Sequence, residues 1–320
     1  MTVLKAGVIG VGHLGQHHAR LYAALPAAQL VAVADQSMER AQLIADRHGV
    51  RALRSLDELL AQVDVVSVAV PTSAHHAVAK ACLLAGKHVL IEKPIAVTSA
   101  EAHELVQLAK QRGCCLQVGH SERFNPIMQV MRPHIGRPVF IECHRLSSFS
   151  ERGTDVDVIL DLMIHDLDMV LSFNLGPVED IRAAGVPVLS STIDIANARI
   201  QFKSGCVANM TVSRVSTNKM RRLRLFQRDN YISIDFQTRQ GVIYRRDARP
   251  GQRPAVEVEQ LQGGDEEPLK LQIESFLHAA GTGTRPMVSG EDGSAALDIA
   301  HQVLHAIAEF VARQEKAPAS

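Results

Sequence analysis

The sequence predicts two domains of different class: a doubly wound parallel α/β sheet, then an α+β domain with a large, mostly antiparallel open sheet. Three observations carry this. A strand near the start of the chain runs into a glycine turn and then a helical pattern. Strands and helices alternate as far as Gly119. Beyond that point strand follows strand, with the helices set apart. The expected division is residues 1–120 for dinucleotide binding and 121–320 for substrate binding and oligomerisation, with C-terminal helices over 269–312 packing back.

Residues 4–9 read as a buried strand that enters Gly10-Val11-Gly12-His13-Leu14-Gly15. A helical pattern then runs from 14 to 25. In such a G-x-G-x-x-G turn the first glycine allows the tight turn and the second lets the backbone approach a pyrophosphate. The third lets helix pack on strand. The pyrophosphate meets unpaired N–H groups at the helix start. The second strand, 30–34, ends in Asp35, 20 residues after Gly15. A carboxylate there accepts from the adenosine ribose hydroxyls and repels a 2′-phosphate, so NAD is expected over NADP. The competing reading is an N-cap for the helix 38–48, a role open equally to Ser37. Gly49 stops that helix, and Ser55 caps a short one over 56–61. A strand over 63–70 closes at Pro71, and a helix over 74–85 ends at Gly86. The strand 88–92 stops in Glu92-Lys93-Pro94, an acid–amine pair at a strand end, with Lys93–Pro94 a candidate cis bond. Thr98 or Ser99 caps a helix over 100–112, and 115–119 is one more buried strand.

In the second half a helix starts at Asn125-Pro126 and runs to about 134, 138–146 reads as a strand, and one helix spans 156–173. Strands follow over 178–188, 193–202, 206–215, 221–227, 231–236, 242–246 and 255–260. Alternation is clear in Ile193, Ile195, Ala196, Ala198 and Ile200 and in Arg222, Leu223, Arg224 and Leu225, and Lys203-Ser204-Gly205 makes a hairpin turn. Helices over 269–280 and 293–312 close the chain.

Composition bounds the function. Lys+Arg and Asp+Glu both number 34, so no global basic footprint points to nucleic acid. No apolar run reaches membrane-spanning length, so no membrane insertion is expected. Cys82, Cys114, Cys115, Cys143 and Cys206 lack metal-ligand spacing, which reads as free thiols in a reducing compartment. With no room for a signal peptide before the first strand, the expected location is cytoplasmic.

The second half concentrates ionisable groups at Asp155, Asp157, Asp161, His165, Asp166 and Asp168. On a regular α-helix Asp161, His165 and Asp168 share one face, set among apolar residues. That face fits three roles: a metal site, a salt-bridged surface, or a catalytic face with His165 as proton carrier. No further metal ligands are evident. Hydride transfer from a carbinol to NAD needs a base for the hydroxyl proton, and Lys93 and His165 are the two candidates. Glu92 reads as the partner that positions Lys93. A local basic set, which includes Arg145, Arg152, Arg214 and the run 221–224, can clamp a diphosphate or form a solvated sheet face or subunit interface. Ser121, Arg123 and Asn125 line the substrate site or cap the helix at Pro126.

These residues resemble the Gfo/Idh/MocA oxidoreductases over essentially the whole chain. The resemblance rests on Gly7-Val8-Ile9-Gly10-Val11-Gly12 with Gly15 and His18, Pro71-Thr72 with His75, and Glu92-Lys93-Pro94. It rests also on Val118-Gly119 with Arg123-Phe124-Asn125-Pro126, and on Asp161, His165 and Asp168. It implies an N-terminal Rossmann domain and an open C-terminal sheet that often joins subunits into dimers or tetramers. It implies Lys93 and His165 facing the reacting carbon, Asp161 near the substrate, and Pro71, Thr72 and His75 bordering the cofactor. Segments 119–126, 151–158, 161–166 and 194–199 are most similar to members that oxidise the C3 hydroxyl of UDP-N-acetylglucosamine to a ketone, for later amination in lipid A precursor synthesis. The alternatives are a free sugar or inositol as substrate, or a non-catalytic NAD-binding regulator.

Overall fold

The computed structural model describes residues 3–150, 156–247 and 255–315. The first elements are β1 (Leu4–Ile9), α1 (Gly15–Ala24), β2 (Ala28–Ala34), α2 (Met38–His48), β3 (Arg51–Leu53) and α3 (Leu56–Leu60). Then come β4 (Val65–Val68), α4 (Thr72–Leu84), β5 (His88–Ile91), α5 (Ser99–Arg112) and β6 (Leu116–Val118). After a 3₁₀ turn, Ser121–Phe124, follow α6 (Pro126–Met131), β7 (Phe140–Leu146), a π-helical turn (Ile159–Met163) and α7 (Ile164–Leu171). The strands β8 (Val178–Val186), β9 (Ile195–Phe202), β10 (Val207–Ser213) and β11 (Met220–Phe226) come next. The last elements are β12 (Asn230–Asp235), β13 (Gln240–Asp247), β14 (Ala255–Gln262), α8 (Pro268–Thr282) and α9 (Gly290–Glu315).

Two compact units result: Met1–Phe124 with Glu266–Leu297, and Asn125–Asp265 with Asp298–Ser320. The expected division assigned everything after residue 120 to the second domain. The difference is α8, whose Ile273, Phe276 and Leu277 share a buried cluster with Ala6, Val8 and Leu90 of the first unit.

The first unit is a six-stranded sheet in the order β3-β2-β1-β4-β5-β6, with every pairing parallel. This is the doubly wound order expected of a dinucleotide-binding fold. Its central strands are buried on both faces, Val65, Val66 and Val68 in β4 and Val89, Leu90 and Ile91 in β5, as a parallel sheet covered by helices requires. Caps set the ends. Ser37 accepts from Arg40 N–H at the start of α2, and Thr98 with Glu101 forms a capping box on α5. Gly49 and Gly113 end these two helices in the left-handed conformation. The carboxyl ends of β1, β4 and β5 deliver Gly10, Ala69 and Glu92 to one edge. The Lys93–Pro94 bond is cis. The edge strand β3 has three residues, too few to show a period in the sequence.

The second unit is an eight-stranded sheet in the order β14-β13-β12-β11-β7-β10-β9-β8. Only β7 and β10 pair in parallel; the other pairings are antiparallel. One face carries the core, with Ile141, Ala198, Met210, Leu223 and Ile232 packed against Met163, Leu167 and Val303. The other face carries a ladder of rings, Phe140, Phe226, Tyr231 and Tyr244, each within 6 Å of the next by centroid. It also carries the ion pairs Arg224–Glu142 and Arg222–Asp235. Arg222 and Arg224 of the run 221–224 therefore lie on a sheet face with internal partners.

Two expectations are corrected here. The stretch 156–173 is not one regular helix: a π-helical turn precedes α7. Its entry is pinned to the start of β9, where Val158 N–H donates to the Ile193 carbonyl and Ile193 N–H donates to Asp157 Oδ1. The widened turn then fits the extra residue. Secondly, α9 is long and apolar enough by length and composition to cross a membrane. In the second unit its Ala300, Val303 and Ile307 belong to the protein core.

Candidate functional site

In the first unit the glycine turn has the geometry of a phosphate cradle. Gly10 adopts φ +84°, and a Cβ there would come 2.7 Å from the Ala69 carbonyl oxygen. A Cβ on Gly15 would strike the Gly10 carbonyl. Gly12 is different: nothing lies within 4 Å of a Cβ built there, so its backbone is open to a ligand. α1 begins with no side-chain cap and no acid in its first turn, which leaves the positive end of the helix for an anion. His13, Leu14 and Pro71 are exposed and Thr72 is half-buried at the start of α4, so all four can border a dinucleotide.

Asp35 sits at the end of β2. Its Oδ2 accepts from Val11 N–H at 2.9 Å, and its Oδ1 accepts from Ser37 N–H at 2.9 Å. Arg40 forks onto both oxygens at 2.8 and 3.1 Å. Burial alone would raise this carboxyl, but Arg40, Ser37 and Val11 together hold it below its ordinary value. Ser37 takes the capping role, which leaves Asp35 to brace the glycine turn through Val11. The Arg40 side chain is half-exposed, so a ribose diol can replace its fork on Asp35.

His75 departs from expectation. It is buried, with Nδ1 donating toward the Pro94 carbonyl at 2.8 Å or Nε2 toward the Val70 carbonyl at 3.0 Å. Burial holds this ring below the usual histidine range, partly offset by the two carbonyls and by Glu92. His75 thus ties α4 to the turn after Lys93.

Glu92 also turns inward. Its Oε1 lies 3.0 Å from His18 Nε2, while His18 Nδ1 lies 2.9 Å from Ser67 Oγ. Ser67 Oγ lies 2.9 Å from the Tyr22 hydroxyl. Burial pushes the Glu92 carboxyl up, but the His18 hydrogen bond and the charges of His18, Lys93 and His75 outweigh it and hold Glu92 below the usual range. Burial pushes Tyr22 well above its ordinary value. Lys93 itself is half-buried at the strand end. Ser121, in the 3₁₀ turn after β6, is half-buried, and Arg123 is buried.

In the second unit Asp161, on the π-helical turn, and His165, in the first turn of α7, are half-buried. Asp168 is fully inside at 1% exposure, so the three do not form one equivalent face. The widened turn breaks the even spacing that such a face requires. The two structured arginines expected to clamp a diphosphate are occupied. Arg145 is buried against Asp166, with Nη2 to Oδ1 at 2.7 Å and Nε within 3.2 Å of both oxygens. Arg214 pairs with Asp194 at 3.0 Å and donates to the carbonyls of Val156 and Ile193. Asp194 in turn accepts from the N–H groups of Val188, Leu189 and Ser190 and from the Ser190 hydroxyl. Burial raises its carboxyl, but these donors pull it far below the usual range. Asn125 caps α6 through Ile127 N–H, and its amide donates to the Phe236 carbonyl. Arg152 lies outside the described residues. Among the described residues no group of three or more His, Cys, Asp or Glu can hold a metal ion.

The residues that sequence reasoning did not place in the site are Tyr22, Ser67 and His18. Two signals were present: His18 belongs to the glycine-turn motif of the resemblance, and Ser67 is a hydroxyl inside the apolar run Val65-Val66-Ser67-Val68.

Residues 4–120 match the family model described as an oxidoreductase family with an NAD-binding Rossmann fold. Residues 130–233 match the GFO/IDH/MocA C-terminal domain. The chain is 41% identical over 316 residues to a UDP-N-acetylglucosamine 3-dehydrogenase of Acidithiobacillus ferrooxidans, covering 98% of this chain and all of that one. A solved structure of that name from the same organism superposes with a TM-score of 0.92 over 97% of this chain and 99% of that one. An inositol 2-dehydrogenase of Rhizobium meliloti is 28% identical over 97% of this chain and 98% of its own length.

Proposed function

The chain belongs to the Gfo/Idh/MocA oxidoreductases, and we propose that it oxidises the C3 hydroxyl of UDP-N-acetylglucosamine to a ketone with NAD as acceptor. NAD binding is a property of the family and fits the open backbone at Gly12 and the uncapped start of α1. The observation that carries the substrate is the end-to-end match at 41% identity to an enzyme with that activity.

The proposed chemistry divides as follows. NAD, held at the glycine turn, would supply the hydride acceptor for C3. The hydroxyl proton passes to Lys93 or His165, and the C–O bond becomes a carbonyl. Asp161 holds the sugar near His165. Gly10, Gly12, His13, Leu14 and Gly15 hold the pyrophosphate, Asp35 the adenosine ribose, and Pro71 and Thr72 the flank of the cofactor. Ser121, Arg123 and Arg152 are the remaining candidates for the nucleotide, since Arg145, Arg214 and Asn125 serve internal contacts. The ketone product suits a following amination in lipid A precursor synthesis. The ring ladder on the open face of the second unit supports a homodimer or homotetramer formed through that sheet. The five free cysteines support a cytoplasmic location.

One observation favours a second reading, an inositol or free sugar as substrate: Arg145 and Arg214 are neutralised inside the protein and leave a diphosphate without the clamp they would have made. Incubation with NAD and either UDP-N-acetylglucosamine or myo-inositol, followed by NADH absorbance, separates the two. Faster NADH formation with the sugar nucleotide is expected. Turnover of inositol alone would replace the first reading with the second.

A further inference from the structure

The polar chain behind Lys93 has a direction. Glu92 is held ionised, so it can only accept, and His18 Nε2 must donate to it. In the Nε2–H tautomer Nδ1 accepts, and its donor is then Ser67. With its single proton committed, Ser67 Oγ accepts from Tyr22. Every group is satisfied by one arrangement of protons, and every donor points toward Glu92.

The chain does not carry protons out of the protein. Tyr22 and Ser67 are fully buried and His18 is 1% exposed. Tyr22 keeps its proton more firmly than an exposed tyrosine. Nor does stability explain these groups. A valine, a leucine and a phenylalanine would fill the same core without the cost of burying polar atoms. The other end of the chain abuts Lys93. Gly119 leaves the room: a Cβ there would come 2.8 Å from Glu92 Oε2.

We propose that Tyr22, Ser67 and His18 form a one-way donor chain that fixes the Glu92 carboxylate and, through it, positions Lys93. His18 is thus a positioning residue, and the inference rests on the reading of Lys93 as a proton carrier. A carboxylate anchored on one oxygen presents the other in a set direction, and its charge acts on the neighbouring ammonium. Partners of this kind one step behind a functional group change its performance by about 10–100-fold when removed.

The decisive variants are His18→Leu, which removes both polar ring atoms, and His18→Gln. The glutamine amide can donate to Glu92 and accept from Ser67 in the same order. His18→Leu should lower kcat about tenfold or more while the KM for NAD stays within about threefold. His18→Gln should recover most of the loss even though both variants disturb packing. Ser67→Ala, the smaller change, should lower kcat less than His18→Leu, and it carries the test if His18→Leu fails to fold. Labelled methyl groups placed on the lysines by reductive methylation report Lys93 without turnover. Its NMR signal, assigned by loss in Lys93→Met, should move in His18→Leu and stay in His18→Gln. A folded His18→Leu or Ser67→Ala protein with parental kcat and an unmoved Lys93 signal would overturn the donor chain. So would a His18→Gln protein as impaired as His18→Leu. Parental turnover by Lys93→Met would instead overturn the reading beneath it.

Discussion

Each unit buries carboxylates, and it satisfies them differently. In the second unit Asp166 meets Arg145 and Asp194 meets Arg214, so each negative charge is cancelled on the spot by a guanidinium. In the first unit Glu92 meets the ring of His18, backed by two hydroxyls, and its charge remains available to Lys93. A buried acid paired with arginine joins elements together. A buried acid held by an imidazole ring and hydroxyls keeps its charge beside the amine proposed as a proton carrier. The two arrangements predict opposite outcomes when broken: loss of fold in the second unit, and loss of chemistry in the first.

The largest effect is expected at Lys93. Lys93→Met should reduce turnover by roughly a thousandfold or more, the scale for removing an acid–base group, while NAD binding and melting temperature stay near parental. Calorimetry and NADH absorbance check both halves. Asp166→Asn should do the reverse. Breaking one partner of a buried ion pair costs about 3–5 kcal/mol, seen as a lower denaturant midpoint. Arg145→Leu in the Asp166→Leu background should recover part of the loss that Asp166→Leu alone causes, because two apolar groups leave no unpaired charge. Recovery of nothing would mean that Arg145 has a second task.

Acid separates the units further. The Asp194 carboxyl lies far below the usual range in the folded protein, so its stabilisation is complete above the ordinary carboxylate range. It is lost progressively as pH falls through that range toward the folded-state value. Unfolding free energy measured from about pH 6 to 3 should therefore drop more steeply in the parent than in Asp194→Asn. Parallel slopes would contradict the donor set at Asp194. The smallest effect is expected at the exposed fork on Asp35. Arg40→Ala should change the melting temperature by no more than about 2 °C, because exposed ion pairs contribute little. Its KM for NAD should change by less than about threefold, since the ribose displaces this fork.

Legibility in the sequence follows the range of the interaction. The glycine turn, the cap at Ser55 and the alternation of strands are local patterns that stand where the sequence places them, and Ser37 and Thr98 are each one of the two caps it offers. The chain from Tyr22 to Glu92 was not legible, because its links join residues 45, 49 and 74 apart with no shared period. Arg145 and Arg214 read as ligand clamps for the same reason: a lone arginine on or beside a strand shows its charge, and its partner 20 or 21 residues away does not announce itself. The π-helical turn was hidden because apolar spacing in 156–173 suits a regular helix equally well. α8 shows an amphipathic pattern, but a pattern does not say which sheet receives it.

The central claim is that Lys93, backed by Glu92, serves NAD-dependent oxidation of a sugar nucleotide. The most direct test is NADH formation by the purified protein with NAD and UDP-N-acetylglucosamine, run beside Lys93→Met. The parent should form NADH and a 3-keto sugar nucleotide, and the Lys93→Met protein should bind NAD but form neither. A parent that binds NAD and forms no NADH from this substrate, or a Lys93→Met protein that turns over at the parental rate, would contradict it.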